Sequence, residues 1–559
     1  MKIVLSLLLL LICLLLLPRA HAENESKGWL VTSRRTDGQA DLWAVRAEGG
    51  PWQRLTRTAG DERWPTWHPA GHTLAYAARR ERNWDIYTLD LRTGKETRLT
   101  KDAHFDGWPA WSPDGTRLAF VSARAGDLDL FLLDWETGKE HNLTPTSPAH
   151  EFEPRWEDTQ HLLFVSTRAH THDIYRLDVN GGTMEVVTET QTRDERAAMP
   201  RSDGKAFLVI SVEDRARTLR LLRSDGAPLG SPFSWTEAVT AAALSDEGNE
   251  VAWLEHRFDG DILYRRSLQG GETFKLNGPT PHLDDLAWGA PDDTLMERQL
   301  NPPEAFPFSE PPEARPSELV RLDDVDTVQP FINERALIPF RTVRARVLSE
   351  LGDDFLAEVS ETVRPVDFGT DDSDYLSWHK AGRAVDTLLD LGFYAGQQWM
   401  EIVREDWHGD VYWRIWLRCP VQDGSCGEPL IETPWDYSYR ARWELAPGKG
   451  GVRGRFQAGY YVDFTRLAED EGWERIASYE TPNFDWRQNK VAMEYWHYQY
   501  TDNLPWYDAM REIYTPQVLE EYFGWEALLA QEIPRWILRL KGVPLPPEVR
   551  RAPAEIAIP

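Results

Sequence analysis

A repeat of 44 residues runs through the first half of the chain and restricts its fold more than any other feature. Asp41-Leu42-Trp43, Asp85-Ile86-Tyr87, Asp129-Leu130-Phe131 and Asp173-Ile174-Tyr175 recur at that interval, as do Leu55-Thr56, Leu99-Thr100, Leu143-Thr144 and Val187-Thr188. Between them lie Trp67-His68-Pro69, Trp111-Ser112-Pro113 and Trp156, each followed by a short apolar strand such as 118–121. Each unit thus holds several strand-like runs punctuated by Gly, Asp and Pro turns. A fixed period near this length with four short strands per unit is the pattern of propeller blades. The pattern decays but continues through Pro200 to Gly204 with Thr218-Leu219-Arg220, then Asp246 to Gly248 with Asp261-Ile262-Leu263, giving six blades. The opening strand 29–32 has no preceding Trp-x-Pro segment, whereas Leu286-Ala287-Trp288 is such a segment without a following strand pair. The two halves complement each other, so both ends are expected to close one blade and leave no free sheet edge.

These blade motifs resemble the WD40-like repeats of TolB-type periplasmic propellers, over about residues 27–300. The resemblance implies a fold rather than a function. The recurring Asp, Trp and Tyr positions read as packing and turn residues. His170, His172 and Asp173 look like a metal tether. Asp173 belongs to the repeat, however, and its equivalents lack neighbouring histidines, so a solvated blade loop is the better reading.

The net charge of −29 would repel phosphate backbones and anionic headgroups, which argues against a nucleic-acid or membrane-surface binder. Residues 1–22 read as a signal peptide: Lys2, an apolar run from Ile3 to Leu17, then the small-x-small pattern Ala20-His21-Ala22. An exported, periplasmic protein with no membrane span after cleavage is expected. Cys419 and Cys426 then remain, with Asp423-Gly424 between them, and a hairpin disulfide is expected in an oxidising compartment.

Six prolines between Asn301 and Pro316 mark a semi-rigid linker and a domain boundary. Beyond it the repeat disappears. Arg335 to Leu351 reads as a helix, Asp354 to Val363 as a strand, and helical segments return at Pro516 to Leu540. Within this α+β region stand Ser377-Trp-His379-Lys-Ala-Gly382-Arg-Ala384-Val-Asp386 and Glu494-Tyr-Trp496-His497. His379, Asp386 and His497 offer two imidazoles and one carboxylate, the set a catalytic zinc uses while keeping one position open. Gly382 lets the backbone turn between the first two. Ala384 and Asp386 share a strand face, and a small residue there leaves room for a metal. Glu494 is available as a general base.

The two motifs resemble those of the zinc D-Ala-D-Ala carboxypeptidase family, S-x-H-x-x-G-x-A-x-D followed by E-x-W-H, and every fixed position is met. The resemblance covers about residues 320–515. It implies His379, Asp386 and His497 as Zn2+ ligands, Glu494 as catalytic base, and Arg364 as the residue that holds substrate and polarises the scissile carbonyl. The 107 residues between Asp386 and Glu494 exceed what compact members carry. The excess reads as a Trp-rich β insertion, about 397–459, with Trp399, Trp407, Trp413, Trp416, Trp435 and Trp443. Cross-strand aromatic packing is preferred over sugar stacking for these rings.

The expected fold class is therefore multi-domain. A signal peptide (1–22) precedes an all-β six-bladed propeller (23–300), a Pro-rich linker (301–318) and an α+β zinc peptidase-like domain (319–545) with its insertion, and a tail (546–559) follows. The expected function is hydrolysis of peptidoglycan peptides, the propeller binding a partner, such as an envelope protein, or substrate. The alternative is a non-catalytic envelope interaction protein of TolB-like type whose zinc domain is structural.

Overall fold

A computed structural model of the protein describes residues 28–300 and 316–544 apart from short stretches, the longest being 234–237, 369–374, 389–392 and 437–451. The expected signal peptide, most of the linker, the tail and Trp443 lie outside the described residues.

Six antiparallel sheets fill the region from Trp29 to Gly289. Five are built from consecutive strands. The sixth joins the two ends: Leu283–Gly289 pairs with Trp29–Thr36, with Leu30 opposite Trp288, so the strands read as complementary halves do close one blade. The inner strands Glu62–Trp67, Asp106–Trp111, Glu151–Trp156, Asp194–Pro200, Val239–Leu244 and Leu283–Gly289 each pack against the next, and the last packs against the first. The ring is closed.

The repeat signature has a direct physical cause. The hydroxyls of Thr56, Thr100, Thr144 and Thr188 accept the N–H of Leu42, Ile86, Leu130 and Ile174 at 2.9, 2.9, 3.0 and 2.8 Å. The Thr144 and Thr188 hydroxyls in turn donate to Asp129 and Asp173 at 3.2 and 3.3 Å. In these two repeats the Leu-Thr and Asp-aromatic signatures are thus two halves of one pin, whereas Thr56 and Thr100 donate instead to Glu62 and Asp106 on the neighbouring inner strand. Asn277 does the same work for Leu263 in the last repeat, at 2.6 Å.

Five inner strands also carry a bulge with a left-handed residue at equivalent positions, Trp64, Trp108, Glu153, Ala197 and Asp285, with φ between 48° and 54°, whereas in the sixth the left-handed Ala238 precedes the strand and the bulge falls between Val239 and Ala241. A bulge re-aims neighbouring side chains. Here the six bulges gather Arg63, Arg155, Arg196 and Asp284 around a cavity on the ring axis.

Beyond residue 316 the helix Glu334–Leu351 forms as expected, capped by Asn333, whose side chain accepts the Arg335 N–H at 2.9 Å, and by left-handed Gly352. Its buried face is Ala336, Phe340, Val343, Val347 and Leu351. The strand expected at 354–363 is not there. The chain turns at Asp354, where its carbonyl accepts the Ala357 N–H, and then meets single residues rather than a neighbouring strand, through isolated bridges Asp326–Glu358 and Glu361–Asp386. The expected helical run 516–540 is three short helices, Pro516–Phe523, Trp525–Ala530 and Arg535–Leu540.

The insertion contributes a four-stranded sheet of Met400–Trp407, Asp410–Arg418, Tyr460–Asp463 and Glu428–Pro429. The Cys419–Cys426 disulfide is formed. Trp413 and Trp416 are buried and Trp399, Trp407 and Trp435 half-buried, with Trp413 packed on Trp435 and Trp486 at 5.8 and 5.5 Å. These rings form core, as preferred from sequence. The sheet lies over the mouth of the ring. Glu428 pairs with Arg63 at 3.1 Å, Glu432 with Arg196 and Arg217 at 3.3 and 2.6 Å, Arg466 with Asp284, and the Gly427 carbonyl accepts the Trp84 indole N–H at 3.2 Å. Opposite charges thus dock the second half directly onto the first.

Candidate metal centre

Ser377 opens a short 3-10 turn, Trp378–Ala381, by accepting the His379 N–H at 3.3 Å. Gly382 ends it at φ 62°, a conformation that suits glycine, and a Cβ there would lie 2.9 Å from the Asn333 backbone nitrogen. The chain can then run directly into the strand Ala384–Asp386, which pairs with His497–Gln499 so that Asp386 sits opposite His497. On its other side Asp386 is held by the backbone, donating its N–H to the Glu361 carbonyl at 2.8 Å and accepting the Ser360 N–H at 2.8 Å.

This local folding brings three of the five predicted site residues to one point. His379 Nε2 lies 3.1 Å and His497 Nδ1 2.8 Å from the same oxygen, Asp386 Oδ1. The candidate ligand atoms of His379, Asp386 and His497 are all within 4.8 Å of one another, and among the described residues they form the group able to hold a metal ion. His379 and His497 are 1% and 7% exposed, so the place is shielded from bulk water.

Proton placement tests whether a cation fits. His379 Nδ1 is 3.0 Å from the Thr362 carbonyl, which can only accept, so Nδ1 carries the hydrogen. In the neutral ring Nε2 then presents a bare lone pair to a carboxylate oxygen. That contact is repulsive unless a proton or a metal ion lies between them, and the donor set of two imidazoles and a carboxylate suits zinc. The electrostatics agree. Burial opposes ionisation of Asp386, but His379 and His497 outweigh it and hold the carboxyl far below its ordinary range. Burial likewise lowers His379, yet Asp386 and then Glu361 raise it overall. For His497 burial wins and the ring stays below its usual value. Without a metal, one proton is therefore drawn to this spot.

The other two residues stand beside the triad and outside it. Glu494 ends the 3-10 turn Lys490–Met493 in a left-handed conformation, φ 58°, and its carbonyl accepts the His497 N–H at 3.2 Å. Arg364 donates its backbone N–H to the His379 carbonyl at 3.3 Å, and its guanidinium makes two bonds to Glu361 at 2.9 and 2.6 Å. Its charge acts on both histidines. Sequence reasoning did not find Thr362 or Glu361. Thr362 acts through its carbonyl, which leaves no mark in residue type.

The solvated-loop reading of the earlier cluster is corrected for His172. That ring is 2% exposed, edge-on to Phe152, with Asp194 at 3.5 Å. Asp173 is a structural pin, held by Thr171, Thr188 and the Thr190 N–H. His170 lies outside the described residues.

Comparison with known proteins bears on the first half of the chain. No curated protein matches. Among solved structures, TolB from Acinetobacter baumannii is similar at 20% identity and TM-score 0.43, over 48% of this chain and 68% of that one. An oligogalacturonate lyase in complex with manganese aligns at 14% identity and TM-score 0.34, over 44% of this chain and 73% of that one. A puromycin-hydrolyzing peptidase of Mycobacterium tuberculosis aligns at 17% identity and TM-score 0.33, over 45% of each chain. Among the described residues no helix is long and apolar enough to cross a membrane. The TolB beta propeller domain family matches residues 65–291, and the N-terminal region of this chain is a TolB-like β-propeller.

Proposed function

We propose that the protein is an exported zinc-dependent peptidase acting on cell-wall peptides, with His379, Asp386 and His497 as the ligands, Glu494 as the base and Arg364 at the substrate carbonyl. The observation that carries this reading is the convergence of His379 Nε2 and His497 Nδ1 on one oxygen of Asp386, with the His379 tautomer held by Thr362. Zinc, when bound, supplies a Lewis acid that lowers the pKa of a water and polarises a carbonyl.

The chain's own residues do the rest. The Thr362 carbonyl and the two strands orient the imidazoles. Glu494 takes a proton from the attacking water on its carboxylate and returns it to the leaving amine nitrogen. Its left-handed backbone costs on the order of 1 kcal/mol for a non-glycine residue, and strain of this kind gathers at functional sites. Arg364, charged and next to His379 in space, is suited to stabilise the oxyanion once the Glu361 pair rearranges around substrate.

A second reading, a metal that only braces the domain, is favoured by the burial of both histidines. Digestion of purified sacculi separates them. Wild type is expected to release D-Ala or cleave cross-links, and Glu494→Gln to release nothing while keeping its metal. Equal product from both proteins would refute Glu494 as base, and none from a zinc-loaded wild type would favour the bracing role.

A further inference from the structure

A sizeable cavity lies away from the triad. It lies on the propeller axis, about 200 Å³, bounded by residues from the inner strands of all six sheets and roofed by the insertion. Charged groups crowd its wall, and nearly all are matched. Asp285 accepts from Arg63 Nε at 2.8 Å and from the Trp64 N–H at 3.1 Å. Glu153 accepts from Arg196 at 2.6 Å and from the Ala197 N–H at 2.7 Å.

Arg155 differs. Among the described residues its guanidinium makes one hydrogen bond, to the carbonyl of its own neighbour Pro154 at 3.0 Å, and no ion pair. Four of its five N–H donors remain for something else. The side chain is half-buried in the cavity wall, where partial desolvation, only partly offset by Glu153 and Asp285, pulls the guanidinium below its ordinary range. The cavity is smaller than pockets for drug-sized ligands, roughly 300 Å³ and upward, so its occupant is a small ion or short acid rather than a peptide.

We propose that the axial cavity binds a small oxyanion, a carboxylate or phosphate group, on the guanidinium of Arg155. The planar fork of arginine matches two oxygens of either group. The site is independent of the metal centre, and it makes the junction between propeller and insertion the place where a ligand acts on this chain.

Trp64, Trp108 and Trp416 line the cavity and give it an optical signal. The test is a titration of the full-length protein with sodium acetate and, separately, with sodium phosphate at fixed ionic strength, reading tryptophan emission. The expected result is a saturable change in wild type with at least one of the two, weakened about tenfold or more in Arg155→Gln. Arg155→Lys keeps the charge without the fork and is expected to bind more weakly than wild type, which serves if the glutamine variant does not fold. A wild-type signal that never saturates, or curves that superimpose for wild type and both variants, would overturn the proposal.

Discussion

Asp386 and His497 stand opposite each other on adjacent antiparallel strands, with Oδ1 2.8 Å from Nδ1, although 111 residues separate them along the chain. One ladder rung thus fixes the distance between two thirds of the triad, and the turn at Gly382 delivers the remaining third. Asp386 faces both imidazoles, so its removal leaves two buried rings without their acceptor. Asp386→Ala is expected to destabilise the metal-free protein by about 3 kcal/mol, read from urea unfolding.

Gly382 can be tested separately from the ligands. A methyl group there would sit 2.9 Å from the Asn333 nitrogen and 2.4 Å from Leu319 Cδ2, in a backbone conformation that L-residues resist. Gly382→Ala is expected to cost about 1–2 kcal/mol and to lower metal occupancy, because the turn sets the position of His379 against Asp386. Unfolding and metal content measured on the same preparation check both effects.

A pH dependence follows from the propeller. Burial pushes the carboxyls of Glu62 and Glu195 up to about 7 and that of Asp106 to about 6. The folded state then holds protons that the unfolded chain has released, so stability falls as pH rises from about 4.5 to about 7. Glu195→Gln, a neutral isostere at a 1% exposed position, is expected to raise the unfolding midpoint at pH 8 and to change it little at pH 4. Thermal unfolding at the two pH values is the check.

The junction between the halves rests on charge. Glu432 serves both Arg196 and Arg217, and its loss would leave Arg217 without that carboxylate while Arg196 keeps Glu153. Glu432→Ala is expected to cost about 3 kcal/mol and to make the chain near residue 301 cleave faster under limited proteolysis. An unchanged cleavage rate would show that other contacts hold the junction.

The six blades were legible because the Asp and Thr pins need particular side chains at fixed rungs, so the period of 44 survives in residue type. The bulges left no such trace. Trp64, Trp108, Glu153, Ala197 and Asp285 share a backbone conformation but no common residue type. At the metal centre the side chains were legible from their spacing, whereas Thr362 acts through its carbonyl and Glu361 through a single bridge. The segment 354–363 misled because its apolar alternation reflects isolated contacts instead of a ladder. The docking of the insertion onto the ring joins residues as distant as Arg63 and Glu428, and no local pattern records a pair 365 residues apart.

Zinc content of the purified full-length protein tests the central claim most directly, measured by elemental analysis for wild type and His497→Ala side by side. One zinc per wild-type chain and essentially none in the variant is the result expected from the geometry of His379, Asp386 and His497. A wild type that takes up no zinc, or a variant that keeps all of it, would contradict the account.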